Sequence, residues 1–389
     1  MGDFDFDVWD LVPLTGNQPL MVCGMELFKR WEIDTRLGIK DEMTLKFFMA
    51  LEKGYMANPY HNSVHGADVM FTVNSFIQAS ERMHDCMEPM DLFAALVAGA
   101  AHDYKHDGVN NAFHVNTGSD LALRYNDQSV LESMHSAELF LLCRDETVNV
   151  FSGLEPGAFK EVRRIITGAI LGTDMTKHFN HIADFESRLA AEKQLEADPD
   201  AMEEAGPEQR LDKRIMIEMA LHCADISNPA KDLTIYRKWV VVVMDEFYAQ
   251  GDKERDLGMP ISPMFDRNNS SVKKTQVGFI QFIIEPIYRV WGDFIPELAE
   301  TFAKNLEIGK AFGWDEYYVE AKQTAADNAI AEGKEEEEEE EEEGRGEGGA
   351  KEEEKAPEKA PTMLESASAP RFEGQSLDPP PEKEAAVEA

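Results

Sequence analysis

Apolar residues recur at three- and four-residue intervals from about Phe4 to about Ala331, and runs that alternate apolar with polar residues are few. This is the period of an α-helix, whose side chains return to one face about every 3.6 residues, and it points to one mostly helical domain. The spacing predicts helices over Met43–Leu51, Asp91–Ala101, Ser129–Cys143, Lys213–Ala224, Ile235–Ala249 and Val272–Trp291. Val240–Val243 has the β-branched composition of a strand. Its flanks, Tyr236–Trp239 and Met244–Phe247, keep the helical period, so it reads as a buried helical segment. Gly153–Gly157, Glu196–Arg210 and Gly251–Asn269 read as loops, the last placed to act as a lid beside the helix that carries Gln276.

The expected architecture is an all-α, compact multi-helix domain over 4–331. From about Glu332 the character changes: Glu335–Glu343 is unbroken glutamate, followed by Gly-, Lys-, Ala- and Pro-rich sequence to Pro379-Pro380-Pro381. Such a segment buries too little apolar surface to offset its ordering entropy, so 332–389 is expected to be a disordered acidic tail. Its charge would suit a basic protein partner.

The 389 residues, 43% of them hydrophobic, support a sizeable core. With 75 acidic against 38 basic side chains the formal net charge is -37, and no basic stripe stands out, which argues against nucleic acid and anionic membrane surfaces as partners. So acidic a chain can act on an anionic substrate only by reversing the sign of its potential locally, and bound divalent cations do this. Cys23, Cys86, Cys143 and Cys223 show no paired spacing, so neither a disulfide framework nor a thiolate zinc site is expected, and a reducing, cytoplasmic setting fits. No apolar stretch reaches bilayer-spanning length, and Met1–Phe6 carries neither a signal-peptide nor a myristoylation pattern, so no membrane insertion is expected.

Four segments have metal-ligand character: His61 to His65, His102-Asp103 with His106, Glu132 with His135, and Ala224-Asp225. Taken singly each has a plain alternative. His61 and His65, or His102 and His106, would share a face if helical, and two such histidines are more often hydrogen-bonded surface residues than a metal pair. The aspartates shift the balance. His102-Asp103 ends the apolar run Leu92–Ala101 and Asp225 ends Ile215–Ala224, and a buried aspartate is rare unless paired or metal-bound. Two aspartates at the ends of buried helices, with histidines nearby in sequence, suit a binuclear metal hydrolase.

The run His102-Asp103-Tyr104-Lys105-His106-Asp107-Gly108-Val109-Asn110-Asn111-Ala112-Phe113 resembles the signature of the class I cyclic-nucleotide phosphodiesterases. Around it, in the family's order, stand Pro59-Tyr60-His61-Asn62, Tyr125–Glu132, Thr173-Asp174-Met175, Ala224–Pro229 and Gln276-Val277-Gly278-Phe279. The resemblance extends from Phe4 to about Lys310 and implies the helical HD-type phosphodiesterase catalytic domain. It implies that His65, His102, Asp103 and Asp225 hold a zinc ion, and that Asp103 bridges to a second ion, magnesium or manganese, otherwise held by waters. His106, Glu132 and Asp174 would orient those waters.

The implied activity is hydrolysis of 3',5'-cyclic nucleotides to 5'-monophosphates, which terminates cyclic-nucleotide signalling. A hydroxide bridging the ions would attack phosphorus in line, and His61 would protonate the departing 3' oxygen. Two divalent ions, two aspartates and one hydroxide sum to about +1, a match for a singly charged phosphodiester. The nucleotide would meet His61, Asp103, Asp225, Asn228, Val243, Gln276 and Phe279: the Gln276 amide at the purine edge, Phe279 stacked on the ring, Val243 closing the other side. Asn228 resembles the residue of the cyclic AMP-selective branches, which favours cyclic AMP over or alongside cyclic GMP. Asn58-Pro59-Tyr60 and Asn111–His114 resemble a calmodulin-dependent branch, although no basic amphipathic helix precedes the domain. Met134, where relatives often carry histidine, and Gly66, where alanine is usual, depart from the pattern without touching an implied ligand. Two other functions compete. Another metal-dependent phosphohydrolase of the His-Asp superfamily leaves Gln276 and Phe279 without a role, and a non-catalytic cyclic-nucleotide-binding scaffold has no need of His61 and the full ligand set.

Overall fold

In the computed structural model, residues 4–195 and 211–328 are described. The Glu196–Arg210 loop and the 332–389 tail lie outside them. Among the described residues all regular structure is helical, as the period predicts. The chain runs through α1 (Leu11–Leu14), α2 (Pro19–Arg30), α3 (Ile33–Leu37), α4 (Asp41–Gly54), α5 (Ser63–Ala79), α6 (Glu81–Cys86) and α7 (Pro89–Ala101). There follow α8 (Asn111–Thr117), α9 (Asp120–Tyr125), α10 (Val130–Leu142), α11 (Pro156–Gly172), α12 (His178–Leu195) and α13 (Lys213–Asp225). Then come α14 (Leu233–Asp256), α15 (Val272–Phe279), α16 (Glu285–Phe294) and α17 (Pro296–Ala311), and residues 314–328 are helical as well.

Two helices form the centre. Every residue of α5 from His65 to Ile77 is buried, and so is every residue of α7 from Leu92 to Ala101. A helix that is buried all round needs neighbours on every side, and α5 and α7 pack on each other and on α2, α11 and α13. Trp239 on α14 and Trp291 on α16 are completely buried, and each such side chain contributes roughly 1.5–3 kcal/mol of transfer free energy. Gly66 has a local reason: a Cβ there would lie 2.8 Å from the Tyr55 hydroxyl, which donates to the Ala100 carbonyl on α7 at 2.8 Å. The glycine makes room for a tyrosine that ties α4's end to α7.

Several expectations shift. Asn62 caps α5, accepting from the Val64 and His65 amides at 2.9 and 3.3 Å, so His61 stands before the helix and not on its face with His65. His102 ends α7 as its C-cap and His106 lies in the turn beyond, so that pair shares no helix either. Pro156 and Gly157 belong to the first turn of α11, where proline is at home because the early amides lack helical partners. Val240–Val243 is helical within α14, but only Val240 is fully buried. The same helix runs past Gly251 to Asp256, and Gly251 serves a close contact within it: the Phe265 carbonyl oxygen comes within 2.0 Å of where a Cβ would sit. The irregular segment begins only at Leu257. Val272–Trp291 is one continuous run interrupted by a π-helical turn at Ile280–Ile284, directly after Phe279. Such turns admit an extra residue and change the direction in which later side chains face.

Candidate active site and metal centre

The first turn of α5, the end of α7 and the end of α13 converge. They bring the side-chain atoms of His65, His102, Asp103 and Asp225 together in a cluster able to hold a metal ion. His65 Nε2 lies 3.2 Å from His102 Nε2, 3.1 Å from Asp225 Oδ1 and 3.5 Å from Asp103 Oδ2. His102 Nε2 lies 3.1 Å from Asp103 Oδ2 and 3.3 Å from Asp225 Oδ1. A tetrahedron with zinc bonds of about 2.0–2.1 Å has edges of roughly 3.3 Å, so the donor set fits such an ion. The tautomer fits as well. His102 Nδ1 faces the Gly99 carbonyl at 2.9 Å and must donate to it, which leaves Nε2 to offer a lone pair to the cluster.

Electrostatics make the same point. Burial disfavours the His102 imidazolium, yet the Asp103 and Asp225 carboxylates outweigh it and raise that group well above its usual range. Burial likewise opposes the charge on Asp103 and Asp225, and the His102 imidazolium holds both carboxyls well below theirs. The cluster draws in positive charge. Asp103 also faces two ways: Oδ2 is turned to His65 and His102, while Oδ1 is 3.6 Å from His135 Nε2.

His61 lies beside this cluster, its Nε2 3.9 Å from Asp103 Oδ2. Its Nδ1 is hydrogen-bonded to Glu246 Oε1, and Glu246 Oε2 accepts from the Tyr60 and His61 backbone amides at 2.9 and 3.1 Å. Burial works against a charged His61, but Glu246 and Asp103 prevail and push its pKa up to about 9. At neutral pH the ring is held as an imidazolium with Nε2–H turned to the site. His106 stacks on it at 3.9 Å between ring centres. Burial, together with the neighbouring charge on His61, holds His106 well below its usual range, so it is neutral. Its Nδ1 accepts from the Gly108 amide at 3.0 Å, which places the ring hydrogen on Nε2.

Glu132 and Asp174 approach from α10 and from the loop before α12. Burial pushes Glu132 up to about 7, and both its oxygens accept from Asn111 Nδ2 at 3.0 Å. Asp174 accepts from Ser129 Oγ at 2.6 Å and from the Thr176 amide and hydroxyl at 2.9 and 2.7 Å. These bonds outweigh its burial and keep the carboxylate ionised.

A cavity of about 640 Å³ opens beside the cluster, lined by His61, Asp225, Asn228, Val243, Gln276 and Phe279 among others. Asp103 is not among the residues that line it. Its walls are mainly apolar, with few polar groups, the usual make-up of a small-molecule site. The Tyr236 hydroxyl, whose pKa burial raises far above its usual range, donates to Gln276 Oε1 at 2.7 Å. The Tyr60 hydroxyl donates to Asn228 Oδ1 at 2.8 Å and leaves the buried Nδ2 without a partner among the described residues. Met264 and Phe265 from the segment after α14 also line the cavity, and Phe265 stacks on Phe247 at 4.4 Å. Of the segment expected to act as a lid, Met264 and Phe265 reach the cavity.

Sequence reasoning missed Glu246, Tyr236 and the placement of His135. Glu246 had a signal: of the adjacent pair Asp245-Glu246 in a largely apolar stretch, a carboxylate that faces the core is costly to bury unless something needs it. Tyr236 had none, because its partner is 40 residues away.

A model of the 3'5'-cyclic nucleotide phosphodiesterase family matches residues 60–306. The dual specificity calcium/calmodulin-dependent 3',5'-cyclic nucleotide phosphodiesterase 1B of Cricetulus griseus is 36% identical over 79% of this chain and 56% of its own length. Isoform F of the 3',5'-cyclic-AMP phosphodiesterase of Drosophila melanogaster is 34% identical over 80% of this chain and 47% of its own. The chain spans about half the length of the curated relatives it matches. Among solved structures, the phosphodiesterase domain of the RhoPDE fusion protein from the choanoflagellate Salpingoeca rosetta superposes with a TM-score of 0.70 at 26% identity, covering 82% of this chain and 96% of that domain. The helical fold, the ligand cluster and a family match across more than half of the chain agree: this protein belongs to the 3'5'-cyclic nucleotide phosphodiesterase family.

Proposed function

We propose that this chain hydrolyses the 3' ester of 3',5'-cyclic nucleotides, cyclic AMP over or alongside cyclic GMP, and so ends a cyclic-nucleotide signal. The carrying observation is that four ligand atoms converge beside a protonated His61 at the edge of a cavity that holds Gln276. His65, His102, Asp103 and Asp225 would hold the tighter ion, zinc, and Asp103 would share the second, magnesium or manganese. Bound there, the cations supply an activated water and neutralise charge on the phosphate. The rest falls to the protein. His61, kept charged by Glu246, gives its Nε2 proton to the departing 3' oxygen. His106, Glu132 and Asp174 would orient water at the metal centre. The cavity's apolar walls exclude bulk solvent and strengthen each of these interactions.

For the base, Phe279 and Val243 offer flat and aliphatic surfaces, and Gln276 reads the edge. Adenine presents a donor at N6 beside an acceptor at N1, guanine an acceptor at O6 beside a donor at N1, so an amide held in one orientation distinguishes them. Asn228 lines the same cavity, its Oδ1 held by the Tyr60 hydroxyl. A reducing, cytoplasmic setting accords with four cysteines held as free thiols, two of which, Cys23 and Cys143, burial pushes up to about 12. No helix among the described residues is long and apolar enough to cross a membrane.

The test is an assay of the purified chain with magnesium or manganese and each cyclic nucleotide, reading 5'-monophosphate. Asp225→Ala is expected to abolish turnover, by about a thousandfold or more, and to lower zinc content measured by atomic emission. Retained activity in that variant would show the metal assignment to be wrong. Binding without turnover in the wild type would favour a scaffold, and turnover of non-cyclic nucleotides alone another phosphohydrolase.

A further inference from the structure

Away from the cavity, one pair of opposite charges is shut inside the core. Asp68 on α5 and Lys231, next after the short turn Asn228–Ala230, are each 1% exposed, and Lys231 Nζ lies 2.5 Å from Asp68 Oδ1. A buried ion pair is a poor source of stability, because removing two charges from water costs about what their attraction returns, and an apolar pair of similar size commonly does as well. This pair is also incompletely satisfied: Asp68 Oδ2 meets no donor among the described residues. Stability therefore does not account for it.

Its position does. Asp68 stands one helical turn beyond His65 on the same side of α5. Lys231 closes the turn that follows Asp225 and contains Asn228. On the cavity side the same turn is held from the segment just before α5, where the Tyr60 hydroxyl donates to Asn228 Oδ1. From behind, Asn305 Nδ2 donates to the Ala230 carbonyl at 2.9 Å.

We propose that the Asp68–Lys231 ion pair is a positioning device: it sets the register of the Asp225 turn against α5 and so holds the Asp225 carboxylate at ligand distance from His65. The inference rests on reading the four-residue cluster as a metal site. Apolar contacts are non-directional and let one element slide against another with little penalty. An ion pair in a low-dielectric core has a single sharp minimum, since any separation of the charges is strongly opposed. Ligand bonds of about 2.0–2.1 Å leave little room for such sliding.

The test removes both charges at once, in the full chain, as D68L/K231M. Zinc affinity of the metal-free protein is measured by competition with a chromophoric chelator, together with thermal unfolding of the metal-free protein and kcat and KM for cyclic AMP. The unfolding midpoint is expected at or above that of the wild type, zinc affinity about tenfold weaker or worse, and kcat lowered more than KM is changed. A folded double variant that binds zinc as tightly as the wild type overturns the proposal. Should that variant not fold, D68E decides, because it keeps both charges and displaces their contact by one methylene. Its zinc affinity is expected to fall several-fold with the fold retained, and an unchanged affinity overturns the proposal. A wild-type chain that binds no zinc at all refutes the metal site itself, a failure distinct from that of the ion pair.

Discussion

His61 owes its charge to a residue on another helix. Glu246 on α14 grips the backbone and ring of His61 together, and burial alone would leave that histidine neutral. In the proposed reaction the acid form of His61 gives up the proton, so activity would be present below its pKa and lost as pH rises through it, about 9 here. Glu246→Gln keeps an acceptor but removes the charge. The alkaline limb of the kcat/KM profile is expected to move to lower pH in that variant, and an unmoved limb would detach Glu246 from the proton donor. Tyr236 acts on selectivity in a similar indirect way. Tyr236→Phe frees the Gln276 amide to turn over, and the ratio of kcat/KM for cyclic AMP and cyclic GMP is expected to move towards unity by about tenfold or less, the worth of one hydrogen bond. At this scale His61, His65, His102, Asp103 and Asp225 were legible because family motifs carry them in short runs. Glu246 and Tyr236 were not, because each acts on a residue far away in the chain.

Helices here place chemistry at their ends. His65 opens α5, His102 and Asp103 follow α7, and Asp225 closes α13, so burial of the helix bodies aims these four side chains at one point. The body of α13 carries its own titratable group. His178 Nε2 faces the Ile283 carbonyl at 3.2 Å and must donate there, so its Nδ1 accepts from His222 Nε2 at 2.9 Å. The remaining nitrogen, His222 Nδ1, is buried with no partner among the described residues, and burial lowers that histidine to about 3. A folded pKa below the unfolded one means that the folded state binds fewer protons. The stabilisation is complete above about 6.5 and is lost as pH falls from there towards about 3. His222→Gln retains a donor for His178 without the titration. Between pH 7 and pH 5 it is expected to lose about 2 kcal/mol less stability than the wild type, read from urea midpoints at the two pH values. Helix interiors were legible from period alone, whereas ends were not: Asn62 as a cap removed His61 from α5, and Gly251 lies inside α14, where a tertiary contact with Phe265 and not a turn requires the glycine.

For the molecule as a whole, if the cluster of two histidines and two aspartates holds a metal ion, as proposed, its binding becomes a part of folding stability. Added zinc is expected to raise the thermal midpoint of the metal-free chain by about 5 °C at a concentration a hundredfold above its dissociation constant, where linkage gives about 2.7 kcal/mol. A chelator should reverse it, and Asp225→Ala should show little of either effect. The helical class, the acidic balance and the identity of the ligand-bearing segments were properties of the sequence by itself, because periodicity, charge and short motifs are local and survive without a fold. Which atoms meet was decided only by tertiary structure. The grip of Glu246 on His61, the hold of Tyr236 on Gln276 and the contact of Lys231 with Asp68 each join residues 40 or more positions apart. A hydrogen bond or ion pair depends on ångström-scale separation and direction, and these exist only once the helices have packed.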